Sequence, residues 1–380
     1  MIDILIKHYY PGYKAGGALR SVINFTRYFS SSGIEGIKVF TLNHDYKSKE
    51  KYPNIKSNSF NVILNHDVFY MTPLFKSFRI CTELNSSDNK LIYLNSFFDF
   101  NFSIFVIILK KFGFFPNKKI LLAPRGELFD GALKIKPIRK YTYLYISKVL
   151  GLYKDIIFHS STKLEKQTIK KNFPHCNVHV ALDMVYQDYS KGFEKKQKEL
   201  ENDDLRLIFI SRIAPKKNLL FLVEVFKNLP TNYNLDLYGP IDDQKYFNQC
   251  KERFLEADLK FNYLGDLEYE RINDKLKNYD FFIFPTKSEN FGHVIFESLS
   301  AGTPVLTSYE TPWLDLEKYN AGYNLNIDNP ESFQKCLEQL MRLDDAQKLE
   351  FRLGTQKYLN NVDFLKDIIS KNKQIFEFAQ

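Results

Sequence analysis

At 380 residues, with 44% hydrophobic and 26% charged side chains, the chain is long enough to fold as two domains with separate cores. This composition excludes an intrinsically disordered chain. The formal net charge is +8, and the lysines are spread over the whole sequence. Such a basic balance is compatible with nucleic acid, phosphorylated substrates or an anionic membrane face as partners.

The cysteines and the apolar segments indicate the compartment. Four cysteines lie far apart without any paired spacing, namely Cys81, Cys176, Cys250 and Cys336. They argue against a disulfide framework or a zinc ribbon and favour a reducing environment. A strand-like segment follows Met1 directly and leaves no room for a signal peptide, so we expect a cytoplasmic protein. The longest apolar stretch, 102–109, is too short to span a bilayer and predicts a core helix.

The first predicted elements are a strand at 2–6, a glycine loop and an amphipathic helix over 18–29. Gly16 and Gly17 lie between the strand and the helix, where a backbone without side chains can approach a ligand closely. The N–H groups at the helix start can face a phosphate, although a glycine loop at this place can also serve packing alone. The G-x-G-x-x-G spacing of a dinucleotide fingerprint is missing. Further strands are predicted at 37–42, 59–64, 91–94 and 119–123, with an exposed polar loop at 43–57.

A basic, aromatic helix follows the fifth strand. The loop 123–128 carries Arg125, and a helix is predicted over 137–150. Across 136–154, lysines and arginines are interleaved with tyrosines, a mixture that suits a helix lying on anionic lipid at the inner face of a membrane. The alternative is a surface helix packed by its leucine and isoleucine face. No recognised RNA-binding motif accompanies the helix, so we expect no nucleic-acid partner.

A strand and a helix predicted over 155–172 close the first domain. Three potential metal ligands follow around a proline, namely His175, Cys176 and His179. They lack a fourth ligand, so we interpret them as structural and expect no metal. A densely charged, apolar-poor stretch then predicts a linker at 191–204 between domains at 1–190 and 205–361.

In the second domain, a strand at 205–210 ends in a loop that carries Arg212 and Lys217 and leads into an apolar helix. Two cations beside the N–H groups of a helix start form a site for an anion. Surface basicity alone is the alternative explanation.

The segment 285–302 is predicted as a loop and a helix between two strands of a parallel sheet. The helix begins near Asn290, Phe291 and Gly292, and its N-terminus is a potential anion site. Glu289 precedes the helix and Glu297 lies on it. The rise from Gly292 to Glu297 is about 7.5 Å, so a phosphate at the helix start and a hydroxyl pair at Glu297 fit one nucleotide. The alternative is a capped amphipathic helix with Glu297 on a solvated face.

These segments together resemble the family 4 (GT4) glycosyltransferases, particularly bacterial enzymes that build surface polysaccharides. The resemblance rests on the two glutamates separated by seven residues, with Phe-Gly after the first and Gly-Thr-Pro-Val after the helix. The Arg212 and Lys217 loop, the string Pro-Arg-Gly-Glu-Leu at 124–128, and Thr311-Pro312-Trp313 also match. The resemblance runs over residues 1 to about 360 and is strongest over 205–325.

The resemblance implies an α/β protein of the GT-B fold, with two Rossmann-like domains facing each other across an active-site cleft. A terminal helix at 362–380 would return to the first, acceptor-binding domain. Gly16 and Gly17 would close over the donor diphosphate, which Arg212 and Lys217 would bind together with the segment Asn290, Phe291 and Gly292. Glu297 would hold the ribose hydroxyls and Glu289 would orient the donor sugar, whereas Gly239 and Leu264 would line the base pocket.

The reaction implied is the transfer of a sugar, with retention, from a UDP-sugar or, as second choice, a GDP-sugar to a hydroxyl of a growing, lipid-linked glycan. No Asp-x-Asp motif is present, so no metal is expected. The sequence departs from many relatives where they place a sugar-contacting histidine, since the nearest loop offers Arg125. A sugar-nucleotide 2-epimerase of the same fold and a non-catalytic glycan- or lipid-binding protein remain as alternatives.

Overall fold

The computed structural model describes residues 2–74, 76–185, 204–362, 365 and 367–379. The chain divides into two compact units, one formed by Met1–Gln187 with Lys366–Gln380 and the other by Asp188–Leu365. The linker predicted at 191–204 lies outside the described residues up to residue 203.

The first unit is built on a sheet of eight described strands. Their bounds are β1 Ile2–Leu5, β2 Ile37–Leu42, β3 Phe60–Ile63, β4 His66–Met71, β5 Leu91–Leu94, β6 Lys119–Leu122, β7 Ile157–Ser160 and β8 Asn177–Val180. They lie in the order β3-β4-β2-β1-β5-β6-β7-β8. Every pair is parallel except β3 with β4. Strands β1 and β5 are buried along their whole length, as expected for a parallel sheet covered on both faces.

The strand predicted at 59–64 is confirmed as β3, but it forms a hairpin with β4, which was not predicted. Its turn is Leu64-Asn65, and both residues have positive φ, 51° and 63°. Type I′ hairpin turns need positive φ at both central residues and are usually recognised by Asn-Gly or Asp-Gly, so Leu-Asn carries no turn signal.

The helices of the first unit before its C-terminal helix are α1 Gly17–Ser31, α2 Lys76–Ser86, α3 Phe105–Lys111, α4 Asp130–Leu133, α5 Pro137–Val149 and α6 Lys163–Asn172. A π-helical turn, Phe100–Ile104, precedes α3. Together the turn and α3 bury Phe102, Val106 and Ile107, so the prediction of a core helix at 102–109 is confirmed.

The polar segment 43–57 is only partly exposed, contrary to the prediction. Asn43, Asp45 and Tyr52 are buried. The Asp45 carboxylate accepts hydrogen bonds from the backbone N–H groups of Tyr13 at 3.0 Å and Lys14 at 3.3 Å. Polar side chains are buried here because they satisfy the backbone of the loop before α1.

The second unit contains a parallel sheet of six described strands. Their bounds are β9 Leu205–Ile210, β10 Tyr233–Tyr238, β11 Asn262–Tyr263, β12 Phe281–Phe284, β13 Val305–Ser308 and β14 Gly322–Leu325. The strands lie in the order β11-β10-β9-β12-β13-β14. The helices are α7 Phe221–Phe226, α8 Gln244–Glu256, α9 Tyr269–Leu276, α10 His293–Ser300, α11 Pro330–Leu340 and α12 Asp345–Asn361.

The chain reverses direction across this second sheet between β9 and β12. From β9 it proceeds outward through β10 to β11, then returns to β12 on the other side and proceeds to β14. The loops after β9 and β12 therefore diverge at a topological switch point, the place where open parallel sheets bind their ligands.

The last described helix, α13 Ile368–Ala379, belongs to the first unit. Asn372 on α13 is buried and donates from its side-chain amide to the carbonyl of Leu182 at 2.9 Å. The range of α13 starts at Ile368, six residues after the predicted 362, and α12 ends at Asn361.

Candidate active site

The loops after β9 and β12 bring Lys217 and Glu289 together at the switch point. The Lys217 ammonium donates to Glu289 Oε1, and both side chains are largely buried, with exposed fractions of 15% and 12%. Thr286 donates from Oγ1 to the same carboxylate oxygen at 3.0 Å. Burial favours the neutral acid, but the charges of Lys217 and Lys216 outweigh it and lower the pKa of Glu289. Glu289 is therefore an ionised carboxylate at neutral pH.

Backbone hydrogen bonds fix the loop that carries Glu289 on both sides. The N–H of Lys287 donates to the carbonyl of Lys216 at 2.9 Å, which ties this loop to the one after β9. The N–H of Glu289 donates to the carbonyl of Glu310 at 2.9 Å, beyond the end of β13. The carboxylate is thus held by rigid neighbours, as a group that must orient a ligand requires.

Arg212 lies in a more open position on the loop after β9. Its Nη1 donates to Asp242 Oδ2 at 3.1 Å, and 36% of the arginine side chain and 23% of the aspartate side chain are exposed. A guanidinium has five N–H donors, so this contact leaves donors for a phosphate. Asp242 had no role in the sequence analysis, and only its position soon after β10 could have suggested one.

The N-terminus of α10 lies directly after Glu289. Gly292 is the N-cap residue, with φ 79° and ψ 60°, a left-handed conformation that favours glycine. An added Cβ would also come within 3.1 Å of Ile295 Cδ1. Because the first N–H groups of a helix have no intrahelical partners, this N-terminus can face an anion. Asn290 is half-buried and Phe291 is buried beside it.

Trp313 holds this helix start in place. The only tryptophan of the chain is fully buried, and its indole N–H donates to the carbonyl of Phe291. The rings of Trp313 and Phe291 lie 5.2 Å apart in an edge-to-face arrangement. Asn324 in β14 donates to the Trp313 carbonyl at 2.8 Å. Trp313 belongs to a sequence pattern that matched the family, but the sequence did not predict these contacts.

Glu297 lies half-buried on α10, five residues after Gly292. The distance along the helix axis is about 7.5 Å, as expected from the helical rise. Glu289, Asn290, Phe291, Gly292 and Glu297 are therefore parts of one loop and helix, next to Lys217 on the adjacent loop.

The ends of β10 and β11 extend the site on the side away from β12. The N–H of Gly239 donates to the carbonyl of Gly265 at 2.8 Å, and the Tyr263 hydroxyl donates to the Gly239 carbonyl at 2.9 Å. Gly239 has φ 128°, and an added Cβ would lie 1.9 Å from the carbonyl oxygen of Ser211. Only glycine fits between these strand ends. Leu264 is half-exposed there, so both base-pocket candidates lie at the edge that carries Arg212.

Gly16 and Gly17 lie in the first unit, after β1, where the sheet has its own switch point between β1 and β5. Gly16 is the N-cap residue of α1, with φ 83°, and Gly17 is the first residue of this helix. Both are therefore placed at a helix N-terminus, which suits a phosphate. The other site residues belong to the second unit.

Arg125, which the sequence offers where many relatives place a sugar-contacting histidine, is not available to a sugar. Its guanidinium is buried and donates to Asp183, to the Tyr93 hydroxyl at 2.8 Å and to Asn95 Oδ1 at 2.8 Å. His159 extends this network through Nδ1 to the Tyr93 hydroxyl, at 2.6 Å. Arg125 joins the ends of neighbouring strands and has a structural role.

The other residues of this region also serve the backbone. Glu165 accepts from the N–H groups of Gly126 at 2.6 Å and Ser161 at 2.7 Å. Burial raises the pKa of Glu165 in spite of these bonds. Burial and the nearby Arg125 charge lower the pKa of His159 to about 4, so this histidine is neutral.

A cavity of about 520 Å³ lies beside the Lys217 and Glu289 loops, at the ends of β13 and β14. Its lining contains Asn218, Phe221, Lys287, Tyr309, Glu310 and residues 325–328. Within the described ranges, no three His, Cys, Asp or Glu side chains are grouped so that they could hold a metal. The sequence prediction of no metal stays a prediction.

The second half of the chain matches a known protein family. Residues 190–358 match the family described as "Glycosyl transferases group 1". The match covers less than half of the chain. It contains Arg212, Lys217, Glu289 and Glu297, so the family match and the switch-point site coincide.

Proteins similar to the whole chain or to parts of it carry glycosyltransferase names. An uncharacterized glycosyltransferase of Methanocaldococcus jannaschii is 23% identical over 97% of both chains. The capsular polysaccharide biosynthesis glycosyltransferase CapM of Staphylococcus aureus is 24% identical over 57% of this chain and 59% of its own length. The O-antigen chain mannosyltransferase RfbU of Salmonella typhimurium is 22% identical over 43% of this chain and 46% of its own.

Solved structures share the fold over the full length. A sucrose-phosphate synthase from Thermosynechococcus elongatus has a TM-score of 0.75 at 15% identity and covers 100% of this chain and 99% of its own. Anabaena HepE in complex with UDP-glucose has a TM-score of 0.70 at 13% identity and covers 99% of both chains. The predicted α/β, GT-B fold class is confirmed.

Proposed function

We propose that the protein is a retaining glycosyltransferase that transfers a sugar from a nucleotide diphosphate sugar to a hydroxyl of a growing, lipid-linked bacterial surface glycan such as O-antigen or capsule. The observation that carries this proposal is the ion pair of Lys217 with Glu289 at the switch point, beside the N-terminus of α10. The cation and the helix start suit the diphosphate of such a donor, Glu289 suits the sugar hydroxyls, and Glu297 suits the ribose hydroxyls.

The positive groups of the site stabilise the leaving diphosphate. When the bond between the sugar and the diphosphate breaks, negative charge develops on the phosphate oxygens. We propose that Arg212, Lys217 and the N–H groups of Phe291 and Gly292 stabilise this charge and that no metal ion is needed. Gly16 and Gly17 contribute N–H groups at the start of α1.

The two glutamates bind hydroxyl groups. Glu289 is ionised and held by Thr286 and Lys217, so it acts as a fixed acceptor that orients the sugar. Glu297 accepts from the ribose hydroxyls. We assign no protein residue as general base, and propose that the leaving diphosphate itself accepts the proton of the attacking hydroxyl.

The relatives support the substrate classes. Capsule and O-antigen enzymes are among the proteins that match this sequence, and HepE binds UDP-glucose and has the same fold. A UDP-sugar is therefore our first choice of donor and a GDP-sugar the second.

The test is a thermal-shift panel with UDP, GDP, ADP and CMP on the full chain. A ligand at 100 times its dissociation constant stabilises the folded protein by about 2.7 kcal/mol, which such an assay resolves. We expect one diphosphate to stabilise the wild type and Arg253→Ala, a variant of an exposed arginine on α8, and to stabilise Arg212→Ala by about half as much or less.

Product analysis separates the proposal from its alternatives. A transferase releases nucleotide diphosphate and extends an added acceptor glycan. Conversion of the donor into a C2 epimer without an acceptor would instead identify an epimerase. Nucleotide or glycan binding without any turnover would identify a binding protein.

A further inference from the structure

Helix α5, Pro137–Val149, presents its apolar side chains outward. Ile138 is 84% exposed, and Tyr145 and Val149 are each 69% exposed. At about 100° per residue, these three lie within about 40° of one another around the helix axis. Ile135 and Leu150 add exposed aliphatic side chains just beyond the two ends of the helix.

The opposite side of α5 packs against the first unit. Leu144 and Ser147 are buried, and the Tyr143 and Tyr153 hydroxyls are hydrogen-bonded at 2.7 Å. Lys140 lies over the ring of Phe98, with its ammonium 4.9 Å from the ring centre. The helix is thus anchored by one face, and its outward apolar face is not needed for that packing.

Positive charge surrounds this outward face. Arg139 and Lys148 are exposed and lie about 100° and 80° to either side of Ile138 around the helix axis, and the Lys148 ammonium also donates to Asn172 Oδ1 at 3.2 Å. The segment 131–154 also contains Lys134, Lys136, Lys140 and Lys154, and it has no aspartate or glutamate. An aliphatic and tyrosine centre flanked by cations is complementary to an anionic lipid surface, where the apolar groups enter the acyl boundary and the cations remain at the headgroups.

We propose that the outward face of α5 docks the protein onto an anionic membrane surface. We call this face the α5 surface and define it by Ile138, Arg139, Tyr145, Lys148 and Val149. It lies flat on the bilayer and does not cross it, because no helix of the described residues is long and apolar enough to span one.

A second copy of the chain fits this surface less well. In a symmetric dimer the same patch meets itself, so the cations of one copy would face those of the other. The segment 131–154 offers no acidic side chain to compensate them. The lipid headgroup is therefore the occupant that the charge favours.

The test is co-sedimentation of the full chain with vesicles. We expect binding to vesicles of equal parts phosphatidylcholine and phosphatidylglycerol, much weaker binding to phosphatidylcholine alone, and release by high salt. The triple variant Ile138→Ser, Tyr145→Ser, Val149→Ser should lower the partition coefficient at least about tenfold. The matched control replaces three exposed apolar residues elsewhere on the first unit, Val62→Ser, Phe78→Ser and Leu164→Ser, and should bind as the wild type does.

A charge variant tests the electrostatic part separately. Arg139→Gln with Lys148→Gln should weaken binding to the anionic vesicles about fivefold per charge. Lys245→Gln with Lys251→Gln, exposed on α8, makes the same change in net charge and should have little effect.

Three results would overturn the proposal. They are absence of binding to anionic vesicles, equal loss in the α5 and control triples, and concentration-dependent self-association that the α5 triple abolishes while vesicle binding is absent. The proposal does not depend on the transferase activity, because the nucleotide-induced thermal shift of each variant reports the donor site separately.

Discussion

Two buried or half-buried groups of cations and carboxylates, one in each unit, lie at the ends of parallel strands. In the first unit, Arg125 and Asp183 are each only 7% exposed, and partners within the same unit occupy the arginine. In the second unit, Arg212 is 36% exposed, and its guanidinium donates to Asp242 at 3.1 Å.

The difference shows how to distinguish a structural ion pair from a ligand site made of the same residue types. Both arginines follow a strand at the end where α/β proteins bind ligands, so sequence position does not separate them. The two arginines differ instead in their burial and in how many of their N–H donors already have hydrogen-bond partners. The same contrast holds for two carboxylates, because burial raises the pKa of Glu165 while Lys217 and Lys216 lower that of Glu289.

The largest expected effect is on the stability of the first unit. Arg125→Ala leaves Asp183 buried without its cation, which should cost about 3–5 kcal/mol of unfolding free energy. Urea unfolding followed by circular dichroism measures this loss. Arg212→Ala is the matched variant in the second unit. A similar loss of unfolding free energy in this variant would mean that both arginines have a structural role.

The next effect concerns turnover at the donor site. Glu289→Gln removes the charge that we propose orients the sugar, so kcat/KM should fall about a hundredfold, since hydrogen bonds to charged groups contribute about 1.5–3 kcal/mol. UDP binding should change much less, because the cations that bind the diphosphate remain. Glu252→Gln, an exposed position on α8, is the control for initial-rate kinetics. Unchanged turnover in Glu289→Gln would remove this residue from the reaction.

A smaller effect is the acid sensitivity of the first unit. The pKa of His159 is about 4 in the folded protein against an ordinary value of 6.5. The unfolded chain therefore takes up the proton first as the pH falls, and stability decreases from about pH 6.5 down to about pH 4. Between pH 7 and pH 5 the expected contribution is about 2 kcal/mol.

The variant His159→Gln should remove this part of the pH dependence. His8, His66 and His179 also have lowered pKa values and contribute in the same direction. Urea unfolding at pH 7 and pH 5 gives the change in unfolding free energy between the two pH values, and this change is compared between wild type and variant. If the wild type and the variant lose the same unfolding free energy between pH 7 and pH 5, the pKa of His159 is not lowered.

The smallest expected effect is the stability of Arg212→Ala. Its partly exposed pair with Asp242 should contribute less than about 1 kcal/mol to folding, because solvent screens the pair. The dissociation constant for the nucleotide diphosphate should nevertheless rise about tenfold or more, which isothermal titration calorimetry measures. A large stability loss with unchanged affinity would assign Arg212 a structural role instead.

The sequence by itself determined the α/β class, most strand positions and the helix starts at Gly16 and Gly292. These features depend on local properties. A strand that is buried on both faces is a continuous apolar run, such as 281–284. Glycine marks positions of positive φ, such as the starts of these two helices. The sequence missed β4 because the Leu64-Asn65 turn carries no local signal.

Only the tertiary structure decided the environment of each charged group. Arg125 is buried because Asp183, 58 residues later, is brought to it by the pairing of β6, β7 and β8. Glu289 meets Lys217 only because β9 and β12 are neighbours in the sheet. The exposure of Ile138 and Val149 likewise depends on which face of α5 packs on the core. Burial and the choice of hydrogen-bond partners depend on residues that are far apart in the sequence, and the sequence alone does not show which of them come close together.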